Sequence, residues 1–271
     1  MRWPLRSRYG EAGAEGPTVL VMGDRRSLAA EAFRNLRTNL QYAAVGSKLR
    51  SIVVTAAGPD EGKSTITANL AVAVGQGGTR VIAVGADLRR PSLHRAFGLS
   101  HHAGLTSVLL GRLPLEEAVH HIERYQVDVL PSGPLPPNPA ELLGSSQMGA
   151  LLEELTRRWD LVLVDTPPVV ALSDASLLAA KTDGVLLVVT ANQTPREVVA
   201  AARRQLEQVG ARIVGVVLNR VRPGEVGHYH YYYYYYSRDG APPAGDTLLP
   251  NGAGPHTGDE AAPAPKGGRS R

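Results

Sequence analysis

The chain contains no cysteine, so disulfides are excluded and a reducing cytosol suffices for folding. Long apolar runs are also lacking. None approaches the roughly 18–20 residues of a membrane-spanning helix, and the longest, at 184–190 and 213–218, have the length of strands. The N-terminal arginines are not followed by an apolar stretch, so no secretory signal is predicted. These absences predict a cytoplasmic protein whose membrane association comes through a partner or through charge.

Lysine is scarce: the 29 basic residues include only four lysines, and arginine therefore accounts for most of the isoelectric point near 9.4. The arginines are dispersed along the chain and form no single block. A solvated surface and an attraction to anionic lipid, nucleic acid or acidic partners both fit this pattern. Charge alone does not choose between them.

Composition divides the chain into three regions. Residues 1–24 form a polar arm that contains glycine and arginine, and we expect it to be flexible. Residues 25–222 alternate between apolar runs and helical patterns. Residues 223–271 lose this periodicity and become rich in proline, glycine and alanine, which predicts a disordered tail because such a segment buries too little surface to offset its conformational entropy.

Six short β-branched runs recur in the middle region with helical patterns between them. They are almost continuously apolar, which predicts strands covered on both faces; the runs are 51–56, 80–84, 127–130, 161–164, 185–190 and 213–218. Thr194, Pro195 and Glu197 predict a helix start with Thr194 as N-cap. The fold class is therefore α/β, with a doubly wound, mostly parallel sheet.

The strand 51–56 leads into a phosphate-binding loop, which an amphipathic helical pattern follows. Small residues let main-chain amides curl around a phosphate, and the helix directs its N-terminal N–H groups at the anion. Lys63 is expected to reach the β- and γ-phosphates, and the Ser64 hydroxyl to ligate Mg²⁺. The predicted ATP-binding residues are Gly58, Pro59, Asp60, Glu61, Gly62, Lys63, Ser64 and Thr65.

Two further strands deliver an acid at their carboxyl ends, the edge where open α/β sheets bind ligands. Asp165 follows the buried run 161–164, in the position of the acid that orders Mg²⁺ directly or through water. Asp87 follows the run 80–84 and is placed to complete the same shell. Ser64, Asp87 and Asp165 are therefore the predicted metal ligands. The core is predicted to be a P-loop NTPase of the ParA/MinD-like superfamily.

From about residue 28 to 236 these features resemble the bacterial tyrosine kinase (BY-kinase) family, the cytoplasmic P-loop kinases of capsule and exopolysaccharide biosynthesis. The resemblance rests on an N-terminal Glu-x-x-Arg-x-x-Arg motif, the Pro-x-Glu-Gly-Lys-Ser loop, an Asp-Thr-Pro-Pro motif, the stretch 131–143, Asn219 and a tyrosine-rich C-terminus. The motif residues are Glu31, Arg34 and Arg37, Asp165 to Pro168, and the tyrosines of 229–236.

The resemblance implies an ATP- and Mg²⁺-dependent protein-tyrosine kinase with Lys63, Asp87 and Asp165 as catalytic residues and Asn219 at the adenine. It also implies ring-like homo-oligomers formed through Glu31, Arg34 and Arg37. The implied phosphoacceptors lie in the tail of a neighbouring subunit: Tyr229, Tyr231, Tyr232, Tyr233, Tyr234, Tyr235 and Tyr236.

The implied partners are a transmembrane polysaccharide co-polymerase that activates the kinase, and a tyrosine phosphatase; no nucleic acid is expected. Such a kinase regulates capsular and exopolysaccharide synthesis and export from the inner face of the plasma membrane, where the membrane partner holds it.

One motif departs from the family. The second acidic motif of the family reads Asp-x-Asp-x-Arg, whereas this chain has Gly85 in place of the first aspartate. That carboxylate is the one assigned to activating the attacking tyrosine, so a catalytically weak ATP-binding adaptor stays open beside the kinase. A ParA/MinD-type ATPase switch on DNA or membrane is a third alternative. Its signature lysine, five residues before the P-loop lysine, is Gly58 here.

Overall fold

The computed structural model describes residues 27–46 and 49–221. The predicted arm at 1–24, the predicted domain limits at 25 and 222, and the tail at 223–271 with its tyrosine cluster at 229–236 lie outside these ranges. The described part of the chain contains a seven-stranded sheet with helices on both faces.

The strand order is β3-β4-β2-β5-β1-β6-β7. All neighbouring strands are parallel except β3, which runs antiparallel to β4 at one edge. The bounds are β1 Ser51–Ala56, β2 Val81–Gly85, β3 His120–Ile122, β4 Val127–Leu130, β5 Leu161–Asp165, β6 Gly184–Thr190 and β7 Ile213–Asn219. The mostly parallel sheet confirms the predicted fold class.

The helices precede the first strand or lie in the connections between strands. Their bounds are α1 Leu28–Ala43, α2 Lys63–Gly75, α3 Leu93–Ala96, α4 Leu105–Leu109, α5 Leu115–Ala118, α6 Pro139–Gly144, α7 Ser146–Arg158, α8 Asp174–Ala179 and α9 Arg196–Gln208. None of the helices in the described ranges is both long and apolar enough to cross a bilayer.

Two hydrophobic clusters fill the two faces of the sheet. Alternate residues of β2 divide between them: Ile82 and Val84 join the cluster that includes α7, α8 and α9, whereas Val81 and Ala83 join the cluster that includes α1 and α2. Strands with both faces buried need apolar side chains at nearly every position, which is why the six runs were visible in the sequence.

The structure confirms those six runs as strands, with shifts of at most one residue at their ends. One strand was missed and one expectation was wrong. The strand β3 was missed, and β7 is not covered on both faces, because Val216 and Leu218 are 59% and 54% exposed. Since β7 pairs only with β6, it is an edge strand, and the described residues do not cover these two side chains.

The helix after the phosphate-binding loop also differs from the prediction. We expected an amphipathic helix, but α2 is buried on nearly every side, including the polar residues Thr67 and Asn69. It contacts both the sheet and α1, so it has little solvent-facing surface. The polar side chains are satisfied inside the helix, because Thr67 Oγ1 and Asn69 Nδ2 donate to carbonyls four residues earlier.

Candidate active site

The predicted phosphate-binding loop connects β1 to α2, and two left-handed residues shape its turn. Asp60 has φ 56° and Gly62, the N-cap of α2, has φ 85°. A Cβ on Gly62 would lie 2.5 Å from Nδ2 of Asn219. Glycine is therefore required at position 62 for both its backbone conformation and its space. The first turn of α2 directs its main-chain N–H groups into the cleft above the loop.

The loop is fastened on one side by Glu61, a buried carboxylate. Its Oε1 accepts hydrogen bonds from the main-chain N of Gly58 (2.8 Å) and from Oγ1 of Thr194 (3.0 Å). Oγ1 of Thr194 in turn accepts from the main-chain N of Thr190. The predicted N-cap role of Thr194 was therefore wrong: Pro195 is the N-cap of α9, with no side-chain capping bond.

The end of β7 fastens the loop on its other side. Nδ2 of Asn219 donates to the main-chain O of Glu61, and a guanidinium nitrogen of Arg220 donates to the main-chain O of Asp60, both at 2.8 Å. The side-chain oxygen of Asn219 accepts from the main-chain N of Arg220. Asn219, which the resemblance assigned to adenine, thus contacts the main chain of the phosphate-binding loop.

Lys63 and Asp87 form a buried ion pair in which Nζ lies 2.9 Å from Oδ2. Burial lowers the pKa of Lys63, but the carboxylates of Asp165 and Asp87 together outweigh it, so the net pKa lies above the ordinary value. The second oxygen of Asp87 accepts from the main-chain N of Arg89 and of Arg90. These bonds hold the carboxylate in the cleft.

Asp165 ends β5 and is fully buried; its Oδ2 accepts a 2.6 Å hydrogen bond from Oγ of Ser64. Burial raises the pKa of Asp165 to about 6, against the opposing influence of Lys63 and Ser64. Its Oδ1 is buried without a hydrogen-bond partner. Ser64 also accepts from Oγ of Ser92, at 2.8 Å.

These oxygens suit magnesium, a hard cation that prefers carboxylate and hydroxyl ligands. The partnerless Oδ1 of Asp165 beside the Ser64 hydroxyl is the clearest sign of such a site. Within the described ranges, no group of three or more His, Asp or Glu side chains is placed to hold a metal by itself. The residues therefore fit Mg²⁺ that is also held by phosphate oxygens, its usual mode in phosphoryl-transfer sites.

Gly85 is the last residue of β2 and pairs in register with Asp165 of β5. A Cβ added at Gly85 would lie 3.1 Å from the main-chain N of Ser132, with Leu130 and Pro131 carbonyl atoms near 3.5 Å. A side chain at position 85 would therefore point between the ends of β2 and β4. The missing carboxylate leaves Asp87 as the acid that β2 and the residues after it contribute to the cleft.

Two clefts meet at the loop. The first, of about 320 Å³, lies over the ammonium group of Lys63 and the carboxylate of Asp87. The second, of about 310 Å³, lies beside residues 58–61 and the start of α9. Arg220 lines both clefts. Arg90, Ser92 and Arg95 line only the first.

The predicted oligomerisation residues lie on α1, away from these clefts. Glu31 and Arg34 pair with each other within the helix. Arg37 turns inward instead: its guanidinium donates to the main-chain O of Ala73, near the end of α2, at 3.0 Å, and its Nε is buried without a hydrogen-bond partner. The three side chains therefore do not form one exposed cluster.

Sequence reasoning missed an ion pair next to the site, between an exposed arginine and a buried aspartate. The guanidinium of Arg89 donates two hydrogen bonds, of 2.9 and 3.0 Å, to the carboxylate of Asp174, which is fully buried at the start of α8. The partners are 85 residues apart, and no local pattern marks Asp174. The pair connects the loop after β2 to the segment that follows β5.

This fold, with a phosphate-binding loop between β1 and α2 and acids at the ends of neighbouring strands, is that of the ParA/MinD class of P-loop NTPases. Residues 49–223 match the ParA family model, described as "NUBPL iron-transfer P-loop NTPase". The cell-division ATPase MinD of Pyrococcus furiosus is 28% identical, with a TM-score of 0.54 over 65% of this chain and 74% of that one.

Closer similarity narrows the class to a family. Tyrosine-protein kinase YwqD of Bacillus subtilis is 43% identical over 201 residues, covering 74% of this chain and 85% of the relative. The kinase domain of the Escherichia coli tyrosine kinase ETK has a TM-score of 0.72 at 33% identity, covering 82% of this chain and 88% of that chain. The chain therefore belongs to the bacterial tyrosine kinase family.

Two further relatives show how this chain relates to longer and fused forms. Against the full tyrosine-protein kinase etk of E. coli K12 the identity is 37%, and the match spans 74% of this chain but only 28% of the relative. The chimerical protein CapA2B2 is 38% identical with a TM-score of 0.72, covering 75% of this chain and 90% of that chain.

Proposed function

We propose that the chain is an ATP-dependent protein-tyrosine kinase that transfers the γ-phosphate to tyrosines in the tail of a neighbouring subunit. The observation that carries this proposal is the convergence of Lys63, Ser64, Asp87 and Asp165 beneath one cleft over the phosphate-binding loop. One ammonium group, one hydroxyl and two acids are the parts that phosphoryl transfer requires for positioning and for charge neutralisation.

Lys63 has two alternative partners in this scheme. In the structure its ammonium group is bonded to Asp87. The β- and γ-phosphates of ATP offer it stronger anionic partners above the loop, and the turn of main-chain amides at 58–64 binds the phosphates from below. Moving Lys63 to the phosphates frees the Oδ2 atom of Asp87.

Ser64 and Asp165, with Asp87 nearby, would hold Mg²⁺, which would supply neutralisation of the charge that develops on the transferred phosphate. The carboxylate of Asp87 is then available to accept the proton of the attacking tyrosine hydroxyl. The tyrosine oxygen bonds to the γ-phosphorus while the bond to the bridging oxygen of ADP breaks. A general base contributes about 10²–10⁴ in rate. Because Gly85 leaves this role to Asp87, which also lies near the metal site, we expect a slow kinase.

The proposed acceptors are Tyr229 and the run 231–236, and the proposed adenine contact is Asn219.

The cellular role we propose is regulation of capsular or exopolysaccharide synthesis and export. Two names support it. One relative is a "putative tyrosine-protein kinase in cps region" of Klebsiella pneumoniae, 34% identical over 219 residues, and a similar solved structure is that of the chimerical protein CapA2B2. We propose a transmembrane activator that holds the kinase at the inner membrane face, ring-like self-association through α1, and a phosphatase that reverses the reaction.

A phosphotyrosine assay of the full chain, expressed with the candidate activator's cytosolic segment, tests the proposal. Wild-type protein is expected to become phosphorylated on the tail in the presence of Mg-ATP. Lys63→Ala, and a variant with phenylalanine at all seven tail tyrosines, are expected to give no tail signal. Absence of signal in wild-type protein that binds Mg-ATP would exclude the kinase.

Gly85 favours one alternative, an ATP-binding adaptor that regulates the export complex without efficient transfer. The Gly85→Asp variant separates the two, because a Cβ at this position needs the main chain at Ser132 to shift by only a few tenths of an ångström. Signal in Gly85→Asp but not in the wild type would establish the adaptor. Signal in both, stronger in the variant, is expected of a slow kinase.

A further inference from the structure

The cleft over Lys63 is rich in arginine. Arg90, Arg95 and Arg220 line it together with Lys63, whereas its acidic side chains are Asp60 and Asp87. Four basic side chains against two acidic ones give the lining of this cleft a formal positive surplus. Lys63, the loop amides and Mg²⁺ already suit the triphosphate of ATP, and the added guanidinium groups suit a further phosphate better than a neutral tyrosine hydroxyl.

The three arginines lie on two sides of the loop. Arg220 donates to the main chain of Asp60 and lines both clefts, so it belongs to the side shared with β6 and α9. Arg90 and Arg95 line only the cleft over Lys63, next to Ser92. Their side chains are exposed, while the main chain of Arg90 is fixed by its bond to Asp87 (2.9 Å).

The side that carries Arg90 and Arg95 is the one an acceptor would approach from. The loop presents Lys63 and Ser64 to the β- and γ-phosphates, and Ser92 lies directly against Ser64, with 2.8 Å between the two hydroxyl oxygens. Arg90 and Arg95 flank Ser92 in sequence and share its cleft. Because they line the cleft over Lys63 and Ser64 and not the second cleft, we expect them near the terminal phosphate rather than beside the nucleoside.

We propose that Arg90 and Arg95 form a subsite for a phosphotyrosine that lies close to the acceptor tyrosine in the same tail. The inference rests on the proposed function and adds a substrate preference: tails that already carry a phosphate bind more tightly than tails that carry none. Guanidinium groups suit this ligand because they donate two parallel hydrogen bonds to phosphate oxygens.

The tyrosine run has the spacing that such a subsite needs. In an extended chain alternate side chains point to the same side, roughly 6.5–7 Å apart. Because tyrosines occupy every position of 231–236, an acceptor in this run has a tyrosine two positions away in at least one direction. A scattered set of tyrosines would rarely present a phosphate at that distance. The repeat thus becomes a feature that the arginine subsite reads.

A binding experiment tests this without requiring phosphate transfer. Full-length protein with phenylalanine at the seven tail tyrosines is saturated with Mg-ADP, so that its own tail carries no phosphate. Fluorescent peptides spanning residues 226–238, with no phosphate or with one on Tyr233, are titrated by anisotropy. We expect the phosphopeptide to bind about tenfold more tightly, a factor that corresponds to roughly 1.4 kcal/mol.

The variant Arg90→Gln/Arg95→Gln is expected to reduce this ratio to near one. Arg157→Gln, an exposed arginine on α7 outside both clefts, is the matched control and should keep it. Mg-ADP binding reports whether each variant is folded. If the double variant is not, the two single variants replace it, and each is expected to lower the ratio.

Three results would overturn the subsite: equal affinity of the two peptides for the parent protein, an unchanged ratio in the arginine variants, or displacement of the phosphopeptide by an equal concentration of inorganic phosphate. The last result means an adventitious anion site only. The proposed kinase activity is judged separately by tail phosphorylation, so a chain that prefers the phosphopeptide but transfers nothing would fail there and not here.

Discussion

Asp165 combines full burial with an incompletely bonded carboxylate, which is unfavourable in a protein without a bound ligand. It is a carboxylate with complete burial, one hydrogen bond and one partnerless oxygen, and burial raises its pKa to about 6. A buried charge without full compensation destabilises a fold. The folded state therefore binds a proton at this group at pH values where the unfolded chain, with the ordinary value of 3.8, has released it.

The sign of the resulting stability change follows from linkage. The contribution of Asp165 to folding is fully favourable below about pH 4 and is lost as the pH rises through about 6. We therefore predict that, in nucleotide-free protein at pH 7.5, Asp165→Asn unfolds at a higher urea concentration than the wild type. Its free energy of unfolding should be greater by about 2 kcal/mol. The difference should shrink toward pH 5.

The same substitution should abolish the magnesium dependence of nucleotide binding. Calorimetry near pH 5.5 should show proton release when Mg-nucleotide binds to the wild type, because the metal needs the ionised carboxylate. Asp165→Asn that is less stable than the wild type at pH 7.5 would contradict the assignment of a destabilising buried charge.

A second residue-scale prediction concerns the hydroxyl of Thr194, which both donates to Glu61 and accepts from Thr190. Thr194→Val keeps the shape but leaves the main-chain N of Thr190 without its partner and removes one of the two hydrogen bonds to Oε1 of Glu61, at a cost of about 1–3 kcal/mol. We expect lower stability in urea and weaker Mg-ADP binding. Thr194→Ser should restore both, and a valine variant with unchanged nucleotide affinity would show that the loop does not depend on this contact.

At the scale of elements, what the sequence revealed depended on how each element is stabilised. Buried parallel strands need continuous apolar runs, and the phosphate-binding loop needs small residues at fixed spacing, so both were predictable. The strand β3 was not, because His120 and His121 are exposed and the strand is held by pairing with β4.

Long-range polar contacts were equally invisible. The bonds of Thr194 and Asn219 to the loop join residues 133 and 158 positions apart, and Arg89 meets Asp174 across 85. Local patterns favoured a helix cap for Thr194, whereas the tertiary contact with Glu61 determined its position. The strand-end acids were predicted because the topology of a parallel sheet brings them to one edge.

The edge strand β3 carries a pH-sensitive contact. Nδ1 of His121 lies 2.8 Å from Asp128 and Nε2 lies 3.2 Å from Glu123. The hydrogen bond to Asp128 is the main cause that raises the pKa of His121, with Glu123 adding to it. The stabilisation of β3 is therefore present below the ordinary histidine pKa and lost as the pH rises through the raised value.

We predict that the hydrogen-exchange protection of the β3 amides, corrected for intrinsic rates, falls as the pH rises through the raised pKa of His121. His121→Gln should remove this dependence, while exposed His102 replaced by Gln serves as the control. Protection in the wild type that does not change with pH would show that the pairing with β4 alone holds the strand.

At the scale of the whole molecule, α1 presents two different arginines. Arg34 lies on the surface beside Glu31, whereas Arg37 bonds to the end of α2, the helix whose other end is the phosphate-binding loop. The family resemblance assigned both to self-association. The contacts within one chain give the two arginines different roles: Arg37 bonds to α2, whereas Arg34 lies at the surface.

We predict that Arg34→Ala lowers the oligomer mass measured by light scattering and changes the unfolding free energy by less than about 0.5 kcal/mol. Arg37→Ala should lower the unfolding free energy by about 1–2 kcal/mol, because it removes a hydrogen bond and a partly buried side chain. If Arg37→Ala leaves stability unchanged and only the assembly is lost, its bond to Ala73 has no weight in the monomer.

The fastening of residues 58–62 by Thr194, Asn219 and Arg220 also bears on how the protein is made. A ribosome completes β1, the loop and α2 long before it reaches the three residues that hold the turn in shape. We therefore expect the nascent chain to bind nucleotide stably only after the end of β7 has been synthesised. Fragments that stop short of position 219 would emerge as nucleotide-free intermediates.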